Sequence, residues 1–333
     1  MKNKFLRTFA LMGLSMTLGL QAQAQVQVDK NLATYKPQAQ VTGIIKSVGS
    51  DTMNNMMTLW AEGFRKHQPG VQVEIEGKGS STAPAALING SATFGPMSRE
   101  MKQNEIDEFE KRFGYKPTAI ATSIDMLAVY VHKDNPLKGL SMNQVDGIFS
   151  KTRKSGFEKD ITTWGELGLK GSYEKMAISL YGRNAASGTY GYFKEHALAK
   201  GDFKDSVKEQ PGSSSVVQGV ANDKAAIGYS GIGYKTADVK ALAIAKGNDQ
   251  HFVAADPKNG YSGSYPLSRP LLIYVNFQPG KELDPLRAEF VRYVLSKEGQ
   301  EAVVKDGYLP ITAKAAQATL ATLGIKPALL TKK

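Results

Sequence analysis

Four times along this chain a strand-like run breaks at glycine or serine, passes through small hydroxyl residues and enters a helix-like run. The turns are Gly49-Ser50-Asp51-Thr52, Gly79-Ser80-Ser81-Thr82, Ser187-Gly188-Thr189 and Gly212-Ser213-Ser214-Ser215. This alternation predicts an α/β fold with mainly parallel sheets flanked by helices, because parallel neighbours need a crossover connection. Ligands of such sheets sit at the carboxyl ends of the strands, where these turns fall. A helix start leaves backbone N–H groups unpaired and carries about half a positive charge, so it attracts anions. Serine and threonine add hydroxyl donors, and glycine admits close approach to the backbone. One such turn is an ordinary helix cap. Four in one chain point to an oxyanion site built from helix starts.

The rest of the pattern fills in around the turns. Strands are expected at 41–48 and 71–75, with a short one at 92–94 followed by Gly95-Pro96-Met97-Ser98-Arg99. Met53, Met56, Met57, Trp60 and Phe64 recur at helical spacing between the first two; that stripe reads as core, not as a set of metal ligands. Further strands are expected at 178–181, 226–229 and 271–275, and helices at 83–88, 189–198, 214–222 and 284–297. The two long strands at 124–132 and 268–276 read as hinge connections to an inserted lobe. The expected division is a polar linker at 25–40, lobe 1 from 41–126 and 268–333, and lobe 2 from 127–267.

The compartment follows from the start of the chain. Lys2, Lys4 and Arg7 precede an apolar run over 9–20 and the small-residue site Ala22-Gln23-Ala24. That order predicts a cleaved signal peptide at 1–24, and the run is shorter than the ~20 residues needed to span a bilayer. The chain has no cysteine, hence no disulfide and no lipid attachment site. A soluble periplasmic protein is the expectation. The net charge is +11. Secretion and the absence of a long Lys/Arg run argue against nucleic acid, and the basic exterior favours small anions instead.

Enzyme signatures are missing. The sequence holds no G-x-x-x-x-G-K-[ST] phosphate loop and no G-x-S-x-G elbow, and His67, His132, His196 and His251 are scattered. No catalysis, cofactor or metal is expected. Arg183, after the strand at 178–181 and four residues before Ser187, offers a fork of donors that suits a tetrahedral oxyanion. Arg99 follows Ser98 in a similar place but has Glu100 beside it.

Taken in order, the segments resemble the PstS family, the phosphate-binding proteins of ABC-type importers. The resemblance spans about 41–310. It is carried by Gly49-Ser50-Asp51-Thr52, Gly77-Lys78-Gly79-Ser80-Ser81-Thr82, Ala92-Thr93-Phe94-Gly95-Pro96-Met97-Ser98-Arg99 and, most specifically, Gly182-Arg183-Asn184-Ala185-Ala186-Ser187-Gly188-Thr189. It implies a two-lobed periplasmic binding protein of type II-like architecture, with inorganic phosphate in the interlobe cleft. It also implies a monomer that delivers its ligand to membrane permease subunits. Carried over by position, the ligand contacts are Ser50 and Thr52, Ser81 with Ser80 or Thr82, Ser98, and Arg183, Ser187, Gly188 and Thr189.

One departure matters. Some relatives place aspartate directly after the cleft serine, where this chain has Arg99. Phosphate near neutral pH still bears a proton, its second pKa being about 6, and a carboxylate can accept it, whereas sulfate has none to give. The expected acceptor is Asp125, which could instead pair with Arg183 or Arg99. Asp51 is second, unless it only caps its helix. Arg99 would then add positive charge. The alternatives are a receptor for sulfate, molybdate or tungstate on the same fold, and a secreted phosphatase using a cleft serine.

Overall fold

The computed structural model describes residues 26–326. The expected signal peptide at 1–24, and the end of the expected lobe 1 at 327–333, lie outside the described residues. In chain order the first elements are β1 (Gly43–Val48), α1 (Asn54–His67), β2 (Val71–Glu76), α2 (Ala83–Ile88), β3 (Gly95–Met97), α3 (Gln103–Phe113) and β4 (Thr118–Met126). Then come β5 (Ala128–His132), β6 (Gly139–Ser141), α4 (Met142–Phe149), β7 (Ser179–Arg183), α5 (Gly188–His196), β8 (Lys208–Gln210) and α6 (Ser213–Asn222). The chain continues through β9 (Ala226–Ser230), β10 (Val239–Ala241), β11 (Ala243–Ala245), α7 (Pro257–Tyr261) and β12 (Ser268–Val275). It closes with α8 (Pro285–Val294), α9 (Lys297–Lys305), β13 (Leu309–Pro310) and α10 (Ala313–Thr322).

The fold is two-lobed α/β, and its sheets are mixed. In the first lobe β1 and β2 pair in parallel, and a parallel bridge from Ser47 to Phe94 joins them to the start of β3. Beyond β3 the pairing turns antiparallel, in the order β13-β4-β12-β3. In the second lobe β7 is parallel to β8 and β9, whereas β5 runs antiparallel to its neighbours β9 and β10. Each parallel step carries a crossover helix, the pattern visible in the sequence. The antiparallel steps occur where β4, β5 and β12 run between the lobes, and no helix announces them.

Both lobes bury helices on their sheets. Met53, Met56, Met57, Trp60 and Phe64 are fully buried, so the α1 stripe is core, as its spacing predicts. A side chain of that size contributes about 1.5–3 kcal/mol when buried. These residues pack with Phe290, Tyr293 and Leu320 from α8 and α10. The helix expected over 284–297 is two helices instead. The break falls at Leu295 and Ser296, whose hydroxyl caps α9 by accepting from Gly299 N. Residues 26–40 form no helix or strand, yet Leu32 and Tyr35 are buried and the Tyr35 hydroxyl donates to Glu289 at 2.7 Å. Among the described residues no helix is long and apolar enough to cross a membrane.

The two passages between the lobes lie side by side. Leu127, the single residue between β4 and β5, donates its N–H to Leu267 O at 3.0 Å, and Tyr265 Oη donates to Leu127 O at 3.0 Å.

Candidate functional site

The site starts from three turns of the first lobe. After β1 the chain turns at Gly49, where a Cβ would lie 2.1 Å from Pro96 O, so only glycine lets the end of β1 rest on β3. Ser50 Oγ then donates to Ser98 Oγ at 3.0 Å, and Ser98 N donates to Ser80 Oγ at 3.0 Å. The three serines come from the ends of β1, β2 and β3 and are buried. Gly79 holds the second turn in the left-handed region at φ +116°, and a Cβ there would meet Ala186 O at 2.4 Å. Next to it, Ser81 N donates to Ala186 O at 3.1 Å, a main-chain bond from the first lobe to the second.

The second lobe answers with the start of α5. Ser187 is its cap, accepting from Thr189 N at 3.1 Å and Tyr190 N at 3.4 Å. Gly188 faces the serine cluster so closely that a Cβ would fall 2.2 Å from Ser80 Oγ and 2.7 Å from Ser98 Oγ. The Thr189 and Thr52 hydroxyls lie 2.9 Å apart, both buried. The partly positive end of α5 thus abuts hydroxyls from three strand ends.

Arg183, the last residue of β7, is 1% exposed. Its Nη1 donates to Ser213 Oγ at 2.7 Å and its Nη2 to Pro211 O at 3.1 Å, and Nη2 lies 3.1 Å from Asp51 Oδ1 as an ion pair. Its Nε is buried with no partner among the described residues. Burial draws the guanidinium below its ordinary pKa, and Asp51 opposes that. Asp51 Oδ1 also accepts from Ser213 N at 2.8 Å and Ser213 Oγ at 2.9 Å. Asp51 therefore does not act as a cap on its own helix. It grips Arg183 and the start of α6 on the other lobe.

Asp125 is fully buried and pairs with neither Arg183 nor Arg99. Its partner is Arg269, directly opposite in the β4–β12 ladder. Arg269 Nε and Nη2 donate to Asp125 Oδ2 at 2.9 and 2.7 Å, and Asp125 Oδ1 accepts from Ile232 N at 3.0 Å. Arg269 also reaches Ser98 O at 2.7 Å and Thr189 Oγ1 at 2.9 Å. A third carboxylate lies nearby. Asp306, at the end of α9, has a buried Oδ2 without a partner among the described residues. Burial pushes its pKa up to about 7, the Asp125 charge adding to the effect and Asn55 opposing it.

Of the residues read from the sequence, the structure brings Ser50, Thr52, Ser80, Ser98, Gly188 and Thr189 together. Ser187 caps the helix beside them, and Arg183, Asp51 and Asp125 stand in the two ion pairs. Thr82 stands aside, its hydroxyl donating to Gly79 O at 2.8 Å. Arg99 is claimed by Glu105 at 2.7 and 2.8 Å and comes only within 3.5 Å of Ser81 Oγ. It lines a neighbouring cleft of about 900 Å³ with Tyr190, Tyr192 and Lys194. The sequence reading missed Arg269. The signal was an arginine in Ser268-Arg269-Pro270, at the head of an otherwise apolar strand. A charge there is buried and needs a partner.

The model of the PBP superfamily domain matches residues 34–298. The chain is 54% identical over 304 residues to the phosphate-binding protein PstS of Pseudomonas aeruginosa, covering 91% of this chain and 94% of that one. It is 31% identical to the phosphate-binding protein PstS of Staphylococcus haemolyticus, covering 78% of this chain and 79% of that one. Among solved structures it is similar to a Clostridium perfringens protein assigned as a phosphate ABC transporter substrate-binding protein and solved with bound phosphate. That likeness has a TM-score of 0.67 at 26% identity and covers 81% of this chain and 100% of that one.

Proposed function

Because this chain belongs to the PBP superfamily and, within it, to the PstS-type phosphate-binding proteins, we propose that it captures inorganic phosphate between its two lobes for an ABC importer. The observation that carries this reading is the buried meeting of Ser50, Ser80, Ser98 and Thr52 with the start of α5, beside an arginine whose Nε has no partner among the described residues. A buried donor without a partner is costly unless something else takes its hydrogen bond. Phosphate oxygens are such acceptors, and each charge-assisted bond contributes about 1.5–3 kcal/mol net. An anion touching both lobes favours the closed arrangement over the open one.

Several finer points belong to the same proposal. The lobes divide at 41–126 with 268–333, and 127–267. The ligand contacts are Ser50, Thr52, Ser80, Ser81, Ser98, Arg183, Ser187, Gly188 and Thr189, while Asp51 and Asp125 hold the arginines. The protein works in the periplasm as a monomer, and the closed form presents itself to the permease subunits. It binds and does not catalyse. Ser213 Oγ accepts from Arg183 and gives its one proton to Asp51, whereas Thr189 Oγ accepts from Arg269 and keeps its proton turned away from that guanidinium.

Isothermal calorimetry on the wild-type protein tests the reading. Phosphate is expected to bind with a Kd of about 1 μM or below. A large excess of sulfate should leave that binding in place. No heat with phosphate, or equal binding of sulfate, would remove phosphate as the ligand.

A further inference from the structure

We propose that Arg269 is a positioning residue of the anion site, one that turns the Thr189 hydroxyl proton away from itself and toward Thr52 or the anion. The proposal rests on the phosphate-capture reading and adds a role to a residue outside the helix starts. Arg269 is 2% exposed and anchored at several atoms. Asp125 on the adjacent strand holds Nε and Nη2, and the Ser98 carbonyl takes Nη1. The Tyr192 ring lies 5.3 Å from the guanidinium carbon. The group has little freedom to rotate.

A guanidinium only donates. Thr189 Oγ1, 2.9 Å from Nη2, must therefore accept, and its single proton points away from Arg269. On its other side lies Thr52 Oγ1 at 2.9 Å. If Thr189 donates to Thr52, the Thr52 proton is released toward a bound anion. If Thr52 donates to Thr189, the Thr189 proton is released. Each arrangement leaves one hydroxyl of the pair as a donor to the ligand. In either order Arg269 keeps the Thr189 proton off its own side, so a hydroxyl pair that spans the two lobes holds one proton for an ionised oxygen. The sequence separation hides it: Arg269 and Thr189 are 80 residues apart.

A double-mutant cycle tests the link. Arg269→Gln and Thr189→Val are made singly and together, circular dichroism melts check folding, and calorimetry gives the phosphate Kd. Each single change is expected to raise Kd about tenfold. The double variant should exceed the worse single by no more than about twofold, because sites that act through one another are not additive. A loss near the product of the singles would overturn the proposal. If Arg269→Gln does not fold, the cycle is repeated with Arg269→Lys, whose compact ammonium cannot span Asp125, Ser98 and Thr189 at once. Multiplicative losses there would overturn it equally. Wild-type protein that binds no phosphate would instead defeat the capture reading, before any variant is made.

Discussion

Two buried arginine–aspartate pairs flank the site, and they differ in where they sit. Asp125 and Arg269 face each other on neighbouring strands of one sheet, 1% exposed or less at both side chains. Asp51 and Arg183 reach toward each other from different lobes, and the Asp51 side chain keeps 19% of its exposure. The first pair stays joined while the sheet stands, although each member also touches the second lobe. The second has to separate whenever the lobes part, and its carboxylate can then be hydrated. The same chemistry therefore serves as a brace in one place and as a latch in the other.

The sharpest way to break that comparison is to remove one charge from each pair. Asp125→Asn should cost about 3–5 kcal/mol of stability in chemical denaturation, because it strands the buried Arg269 charge. A loss below the measurement error would mean that the pair is no brace. Arg183→Ala should leave the melting temperature within a few degrees but weaken phosphate about a hundredfold by calorimetry, equivalent to about 2.7 kcal/mol. Unchanged binding in a folded Arg183→Ala protein would take the latch out of the site. Asp51→Asn comes next, with about a tenfold loss of affinity, close to 1.4 kcal/mol. An effect on stability as large as that of Asp125→Asn would erase the distinction.

Asp306 supplies the control, a buried carboxylate with no arginine. Its pKa is raised to about 7 in the folded protein and returns to the ordinary 3.8 on unfolding. Between those values the folded state holds a proton that the unfolded chain has lost, so stability falls as pH rises from about 4 to 7. Asp306→Asn removes the penalty. The expected gain in melting temperature is about 2–4 °C at pH 8 and almost nothing at pH 4. Equal shifts at both pH values would show that this carboxylate does not titrate in the window.

The helix-start turns were legible because each is local. Glycine, hydroxyl residues and a periodic apolar run within ten residues announce Ser50, Ser80 and Ser187 without any knowledge of the rest. Arg183 was legible for the same reason, standing at a strand end next to such a turn. The Asp125–Arg269 pair was not, since its members are 144 residues apart and nothing near Asp125 names its partner. Arg99 failed the opposite way. It occupies a promising local position, but Glu105, six residues on, takes its guanidinium. The antiparallel half of the first sheet escaped for want of crossover helices. The packing of residues 26–40 escaped because its partner, Glu289, lies far down the chain.

The order β13-β4-β12-β3 has a consequence for how the molecule is made. The strand that sits between β3 and β4 is supplied by residues 268–275, after the entire second lobe has been synthesised. Until then both edges of β4 and one edge of β3 have no neighbour, and such edges invite pairing with other chains. Biogenesis is thus safest when the polypeptide stays extended until its last fifth is available. A protein threaded through a membrane before it folds meets that condition without further help.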